Sequence, residues 1–182
     1  MRFHILSLLG LASASVATQW SGFESLPEGI YSGINHPDGS TTITSLDSGE
    51  IYDFSLSAAP TQQTRRSDYA ISRRGTSCWG DDLDHQGVDR GVDALKLWAG
   101  NGRDLFSGSV PNYVGANVNG VYVYYCINQA NSQGNLNTED INVALQNMDQ
   151  YCTPYEAGYY QWSGSVELVG KCRSGTAVCL GR

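Results

Sequence analysis

The 182-residue sequence has no cysteine before Cys78 and few cationic side chains. Lysine and arginine together number 11 against 18 aspartates and glutamates, so the formal net charge is −7 at pH 7. Proteins that bind the phosphate backbone need a basic surface that displaces counterions, and membrane-lysing peptides carry cationic helices. The charge therefore argues against a nucleic-acid partner and against membrane lysis.

Long apolar runs are also missing. No segment reaches the ~20 apolar residues that a membrane-spanning helix needs, so we expect no stable membrane insertion. One shorter apolar run, residues 5–14, follows the positive charge of Arg2 and precedes the small-x-small sequence Ser15-Val16-Ala17. This pattern predicts a secretory signal peptide over residues 1–17 and a secreted, extracellular product.

The sequence contains none of the common catalytic motifs. It has no G-x-S-x-G nucleophile elbow, no P-loop and no dinucleotide fingerprint. With three histidines and no C-x-x-C pair, a zinc site is disfavoured. We therefore expect no cofactor and no metal, assign no catalytic residue, and interpret the protein as a non-enzyme.

The segment before the first cysteine has the character of a small β-ribbon. Alternating β-branched and aromatic residues, which are typical of strands, occupy residues 29–33, 41–46 and 50–55. Asp47-Ser48-Gly49 suits the turn that would join the last two runs into a hairpin. A polar stretch over residues 58–68 then predicts an accessible linker.

The pair Arg73-Arg74 separates this cysteine-free segment from the part that holds all five cysteines. Two adjacent guanidinium groups suit the acidic pocket of a dibasic processing protease. We interpret the pair as a maturation site between a pro-segment, residues 18–74, and a mature domain, residues 75–182. The alternative is an ordinary exposed basic pair, with the N-terminal segment remaining attached.

Two helices are predicted in the mature domain. Apolar residues at helical spacing indicate a first helix over residues 88–99. Asn137 or Thr138 is suited to cap a second helix, because their side chains can accept from its first backbone N–H groups. Pro154 would end that helix.

Strands are predicted around these helices. Residues 120–128 are apolar on both faces, which indicates a strand in the middle of a sheet. Residues 158–162 and 166–171 are expected to form a closing hairpin, and residues 174–179 a last edge strand. The predicted fold class is α+β: a compact two-layer α/β sandwich with two helices against one antiparallel sheet, disulfide-stabilised and preceded by the signal peptide and pro-segment.

The cysteines predict disulfide bonds. Small domains exported to oxidising compartments gain stability from such bridges, each contributing roughly 2–4 kcal/mol. The candidates are Cys78, Cys126, Cys152, Cys172 and Cys179. Five cysteines leave one unpaired, and the sequence does not select the pairing. The odd thiol could be buried and inert, could link two chains as a disulfide-bonded dimer, or could be reactive.

One acidic cluster resembles a catalytic or cation-binding site. Asp84 and His85 lie among Asp81, Asp82 and Asp89, and carboxylates near an imidazole could exchange protons or bind a divalent cation. Their spacing matches no calcium loop. The alternative is a solvated acidic loop that leads into a helix, with Asp89 near the helix start suited to the positive end of the dipole.

Aromatic residues supply candidate binding groups. Trp79 follows the first cysteine, and Tyr159, Tyr160 and Trp162 lie beside polar turns. The last three rings could form an exposed platform for a glycan or a protein partner, because amphipathic rings often anchor interfaces. The alternative is that these rings pack in the core.

The chain resembles secreted filamentous-fungal proteins. The resemblance is carried by the stretches "CWGDDLDHQGVD", "GVYVYYCIN", "EDINVALQNMDQYC" and "GKCRSGTAVC". The block from Cys78 to Cys179 is similar to the small cysteine-stabilised α/β sandwiches of killer-toxin-like and necrosis-inducing effectors. The resemblance implies a non-enzymatic effector or toxin.

Three functions are therefore in contention. The first is an effector or toxin that binds a host or competitor target after dibasic processing. The second is an extracellular carbohydrate-binding or cell-wall-associated module. The third is a small secreted hydrolase that uses His85 and nearby aspartates. The expected partners are an extracellular protein or glycan and the protease that recognises Arg73-Arg74.

Overall fold

A computed structural model of the protein describes residues 18–57 and 75–181. The predicted signal peptide, the linker over residues 58–68 and the pair Arg73-Arg74 lie outside the described residues. None of the helices in the described stretches has the length and apolar character to cross a membrane.

The described residues form ten strands, two α-helices and one short 3-10 helix, Phe23–Ser25. The elements of the first stretch are β1 (Gly29–Asn35), β2 (Thr41–Ser45) and β3 (Ile51–Phe54). The elements of the second stretch are β4 (Thr76–Asp82), α1 (His85–Ala99), β5 (Arg103–Phe106), β6 (Asn112–Val118), β7 (Val121–Ile127), β8 (Gln133–Leu136), α2 (Thr138–Tyr151), β9 (Glu156–Gln161) and β10 (Glu167–Arg173).

Eight strands make one sheet in the order β3-β2-β1-β6-β7-β10-β9-β4, and every pairing is antiparallel. The remaining strands, β5 and β8, pair as a separate two-stranded ribbon. The α+β class with two helices and one large antiparallel sheet is confirmed. The prediction for residues 120–128 is also confirmed, since β7 lies between β6 and β10.

Both helices pack on one face of the sheet, which we call the helix face. Its buried layer is mainly aliphatic, includes Val92, Leu95, Val123, Ile141 and Val169, and also contains the ring of Tyr125. Helix α1 lies close to the sheet because Gly87 and Gly91 face it: a Cβ at Gly91 would lie 2.8 Å from Val123 Cγ2. The sequence thus places small residues where the helix meets the strands.

Both helices begin at side-chain caps. Asp84 accepts a hydrogen bond of 2.6 Å from the backbone N–H of Gly87, which would otherwise lack a partner within the helix. Asn137 and Asp140 form a reciprocal capping box at the start of α2. The predicted N-cap at Asn137 is therefore confirmed.

The opposite face of the sheet, which we call the aromatic face, is covered without helices of the α type. Trp20 and Phe23, the first residue of the 3-10 helix, lie over Tyr113 and Tyr122. The Trp20 and Tyr113 rings stack with centroids 5.8 Å apart, and Phe23 meets Tyr122 edge-on at 5.4 Å. The rings are 0–1 % exposed, so they form a second core.

Glycines in the strands make room for these tyrosine rings. A Cβ at Gly33 would lie 2.1 Å from Tyr113 Cζ, and one at Gly115 would lie 2.5 Å from Tyr122 Cζ. Each ring therefore lies flat on the strand beside it, in the space that a side chain would fill. Cross-strand contacts of this kind compensate for the missing side chain of a strand glycine.

Two features differ from the sequence-based expectations. The prediction of a last edge strand over residues 174–179 is wrong: only Thr176 forms a bridge, with Gln19, and the tail lies on the aromatic face. The N-terminal runs are strands, as predicted, but they do not form a separate ribbon. Strand β1 pairs with β6 and joins them to the main sheet.

Candidate binding surface on the outer strands

The aromatic candidates lie at one end of the sheet. Trp79 is in β4, Tyr159 and Tyr160 are in β9, and Trp162 follows β9 directly. All four side chains are half-buried. We call these four residues the outer-strand surface.

The rings form two pairs on opposite faces. Trp79 meets Tyr159 at a centroid distance of 6.1 Å and 70°, and Tyr160 meets Trp162 at 5.2 Å and 77°. Tyr159 packs against the aromatic face, Tyr160 and Trp162 pack against the helix face, and Trp79 packs against both. The structure therefore does not bring Tyr159, Tyr160 and Trp162 onto one platform, because successive residues of a strand point to opposite sides.

A disulfide fixes the outer strand. Cys78 of β4 is bonded to Cys152, the residue that ends α2. The carboxylate of Glu156 accepts from the backbone N–H of Gly80 at 2.6 Å and from that of Thr153 at 2.9 Å. These bonds hold the irregular part of β4, where its register with β9 shifts between Cys78 and Asp82.

Asp84 and His85 lie apart from the four rings, at the start of α1. The Asp84 carboxylate accepts from the N-terminus of α1, a capping role that the sequence analysis did not assign to it. His85 is exposed, and its imidazole stacks on Tyr155 with centroids 3.9 Å apart at 13°. The Tyr155 hydroxyl donates to Asp89 at 3.3 Å, and this carboxylate raises the pKa of Tyr155.

Lys171 is a buried cation that the sequence-based interpretation did not single out. Its side chain is 3 % exposed on the helix side of β10, with Nζ 3.6 Å from Asp149 Oδ1. Nζ also lies 5.8 Å from the centre of the Tyr155 ring. Burial lowers the pKa of Lys171, while the nearby Asp149 carboxylate opposes that shift. A lone lysine within the apolar run of β10 was the available signal.

A small cavity lies on the β5–β8 ribbon. It measures about 190 Å³ and is lined by Asp104, Phe106, Gln133, Gly134 and Asn135. The amide of Asn135 donates to Asp104 at 2.6 Å, and its backbone N–H donates to Glu167 at 3.2 Å. Phe106 is 60 % exposed. Polar groups held in place beside an exposed ring are suited to a sugar.

A larger cleft of about 340 Å³ lies where the two described stretches meet. Glu24 contributes from the first stretch, and Asp82, Asp84 and Arg173 contribute from the second. Arg173 Nε lies 3.9 Å from Asp81 Oδ1. The cleft is thus predominantly acidic and includes two members of the predicted aspartate cluster.

The cysteines resolve into two bridges and one thiol. Cys78 pairs with Cys152 and Cys126 with Cys179, which confirms the predicted disulfides. Cys172 is free and 0 % exposed, and burial raises the pKa of its thiol. This environment favours the inert alternative; the disulfide-linked dimer stays a prediction.

No protein-family model matches the chain, and neither a curated protein nor a solved structure matches it.

Proposed function

We propose that the protein is a secreted effector or toxin-like protein that binds an extracellular protein of a host or competitor after dibasic processing. The supporting observation is the outer-strand surface, where two ring pairs flank strands fixed by the Cys78–Cys152 bridge. Half-exposed aromatic rings on a rigid support are frequent anchors of protein interfaces. The two disulfides support an oxidising, extracellular location.

The position of the rings favours a polypeptide as the target. In the described part of the chain, β4 is the last strand at its end of the sheet. An extended segment that adds to such an edge forms backbone hydrogen bonds and places alternate side chains on both faces. The pair Trp79–Tyr159 would contact one row of side chains, and the pair Tyr160–Trp162 the other.

The test uses the secreted recombinant protein in necrosis and competitor-growth assays. We expect Tyr160→Ala/Trp162→Ala and Trp79→Ala/Tyr159→Ala to lose activity while circular dichroism shows a folded protein. Phe106→Ala is the matched control, because it removes an exposed ring from the separate β5–β8 ribbon. Retained activity in both ring-pair variants would contradict the proposed surface. Loss of activity in a folded His85→Ala protein would instead favour the hydrolase alternative.

A second candidate function, carbohydrate binding, is supported by the cavity on the β5–β8 ribbon. Its volume of about 190 Å³ is below the ~300–1,000 Å³ of drug-sized sites, which suits one sugar residue. Phe106 supplies a ring on which a sugar can stack. Asp104, Gln133 and Asn135 supply carboxylate and amide groups that can form hydrogen bonds to the sugar hydroxyls.

A glycan array separates the candidates. If the protein is a glycan-binding module of this kind, Phe106→Ala abolishes the array signal and the two ring-pair variants keep it. A signal that depends on Trp162 instead would place a glycan on the outer strands. A blank array with retained biological activity supports a protein target.

A further inference from the structure

The two described stretches of the chain share one sheet and one core. Strand β1 of the first stretch lies between β2 and β6, with six residue pairs to β6 from Gly29↔Asn117 to Ile34↔Asn112. Without the first stretch, β6 would become an open edge of the sheet. Open apolar edges favour aggregation.

The side chains of the first stretch complete the aromatic face. Trp20, Phe23 and Leu26 are 1–6 % exposed, and they cover tyrosines that belong to the second stretch. The Trp20 indole N–H donates to Gly39 O at 3.0 Å, which fixes the ring within its own stretch. Removal of residues 18–57 would therefore expose a broad layer of rings, and exposed apolar patches of this kind are uncommon on soluble monomers.

Buried polar groups form specific hydrogen bonds between the two stretches. Asn35, 3 % exposed, donates through Nδ2 to the carbonyls of Val178 and Cys179 at 2.8 and 2.6 Å. Asn117, 4 % exposed, donates in the opposite direction, to Leu26 O at 2.8 Å. Separation of the two stretches would break these hydrogen bonds, and intramolecular bonds of this kind make a modest net contribution to stability even against water.

No disulfide links the two stretches. All five cysteines follow Arg74, and both bridges join residues of the second stretch. The only covalent connection between the stretches is the backbone through residues 58–74.

We infer that cleavage in residues 58–74, including the proposed processing at Arg73-Arg74, does not release the N-terminal segment. The product is a non-covalent two-chain protein in which residues 18–57 remain the partner of β6 and of the aromatic face. This inference rests on the proposed function in one respect: natural cleavage requires the proposed processing at Arg73-Arg74. The interaction surface itself is formed by the described residues.

The experiment cleaves the full chain at one defined point. Arg73→Gln and Arg74→Gln remove the proposed processing pair, and Arg65→Gln and Arg66→Gln remove the other dibasic pair of this segment. A recognition sequence for a site-specific protease is then inserted between residues 73 and 74. After cleavage, size-exclusion chromatography without reducing agent is followed by intact mass measurement. We expect both fragments in one peak under native conditions and two separate peaks in denaturant. An N-terminal fragment that elutes alone under native conditions would overturn the inference.

A second variant tests the named contacts. Asn35→Ala removes two hydrogen bonds between the stretches, and Ser48→Ala, in the exposed β2–β3 turn, is the control. Upon cleavage and dilution, the Asn35→Ala fragments should separate at a higher protein concentration than the control fragments. Equal separation in both would contradict the assigned interface.

Natural processing is measured separately. N-terminal sequencing of the secreted wild-type protein should give Gly75 as one of two starting residues. A single chain with no N-terminus at Gly75 would refute the processing proposal. The engineered cleavage would then be the test of retention. A product that begins only at Gly75, with no N-terminal fragment, would refute retention.

Discussion

The two faces of the eight-stranded sheet are both buried, but different kinds of chain cover them. The helix face is mainly aliphatic, with Tyr125 among its buried residues, and lies under α1 and α2. The aromatic face carries tyrosine rings and lies under Trp20, Phe23 and the C-terminal tail, which are distant in sequence. The helix face is therefore covered by helices whose apolar spacing and caps can be recognised within a short stretch of sequence. The aromatic face is covered by segments that come together only through long-range contacts.

Each face also has its own disulfide. Cys78–Cys152 joins β4 to the end of α2, and Cys126–Cys179 joins β7 to the tail on the aromatic face. On the aromatic face, large rings and a disulfide that anchors the tail take the place of a helical cover. Perturbing one face at a time tests this difference.

The largest effect is expected from Trp20→Ala. Loss of a fully buried tryptophan costs about 3–5 kcal/mol of unfolding free energy, since a cavity remains beside Tyr113. Leu95→Ala is the counterpart on the helix face, with an expected cost of about 2–5 kcal/mol. Urea unfolding followed by circular dichroism measures both. If Trp20→Ala cost less than about 1 kcal/mol, the typical loss for a mild substitution, the aromatic face would not be a core.

The sequence predicted the helix face better than the aromatic face. Apolar spacing and caps located α1 and α2, because these signals lie within one helix. Strand β6 was missed, since Gly115 and Asn117 are weak strand formers and only pairing with β1 and β7 fixes its place. The apolar residues Ala177 and Val178 suggested a strand, but their burial comes from packing on the aromatic face.

The candidate site was located only in part. The sequence identified the four rings of the outer-strand surface, and strand alternation alone could have separated Tyr159 from Tyr160. It could not pair Trp79 with Tyr159, because β4 and β9 are brought together by the fold. Asp84 could have been recognised as a cap from its position before α1. Lys171 could have been identified as a lone lysine in an apolar run.

Removal of either disulfide should have the next largest effect. Cys126→Ala/Cys179→Ala and Cys78→Ala/Cys152→Ala are each expected to cost about 2–4 kcal/mol, because the unfolded chain loses a constraint. The near-ultraviolet circular dichroism of the tyrosines should change mainly in the first variant, where the tail loses its anchor on the aromatic face. An equal spectral change in both variants would contradict a separate bridge for each face.

Alkaline pH should change the free energy of unfolding in opposite directions through one buried group on each face, Tyr122 on the aromatic face and Lys171 on the helix face. Burial raises the pKa of Tyr122 well above 10, so the native state keeps a proton that the unfolded state loses above about pH 10. The contribution of Tyr122 to the free energy of unfolding is therefore fully present below about pH 10 and is lost as the pH rises above it. Burial instead lowers the pKa of Lys171 below 10.5, so its unfavourable contribution is relieved as pH rises toward that value.

The measurement is urea unfolding between about pH 8 and pH 11, a range that spans the ordinary tyrosine and lysine pKa values. Tyr122→Phe should lose less stability than wild type at the alkaline end. Lys171→Met should lack the gain that wild type obtains from lysine deprotonation. Parallel pH profiles for wild type and both variants would show that neither group titrates differently on folding.

The smallest effects come from single hydroxyl groups on the aromatic face. Tyr113 donates to Thr41 Oγ1 at 2.7 Å, while Thr41 itself donates to Ile34 O, so Tyr113→Phe should cost about 1 kcal/mol. The buried Tyr122 hydroxyl has no hydrogen-bond partner among residues 18–57 and 75–181. Tyr122→Phe should therefore be neutral or stabilising at neutral pH, because an unpaired polar group no longer needs to be desolvated. Urea midpoints that fell equally in both variants would show that the two hydroxyls are hydrogen-bonded alike.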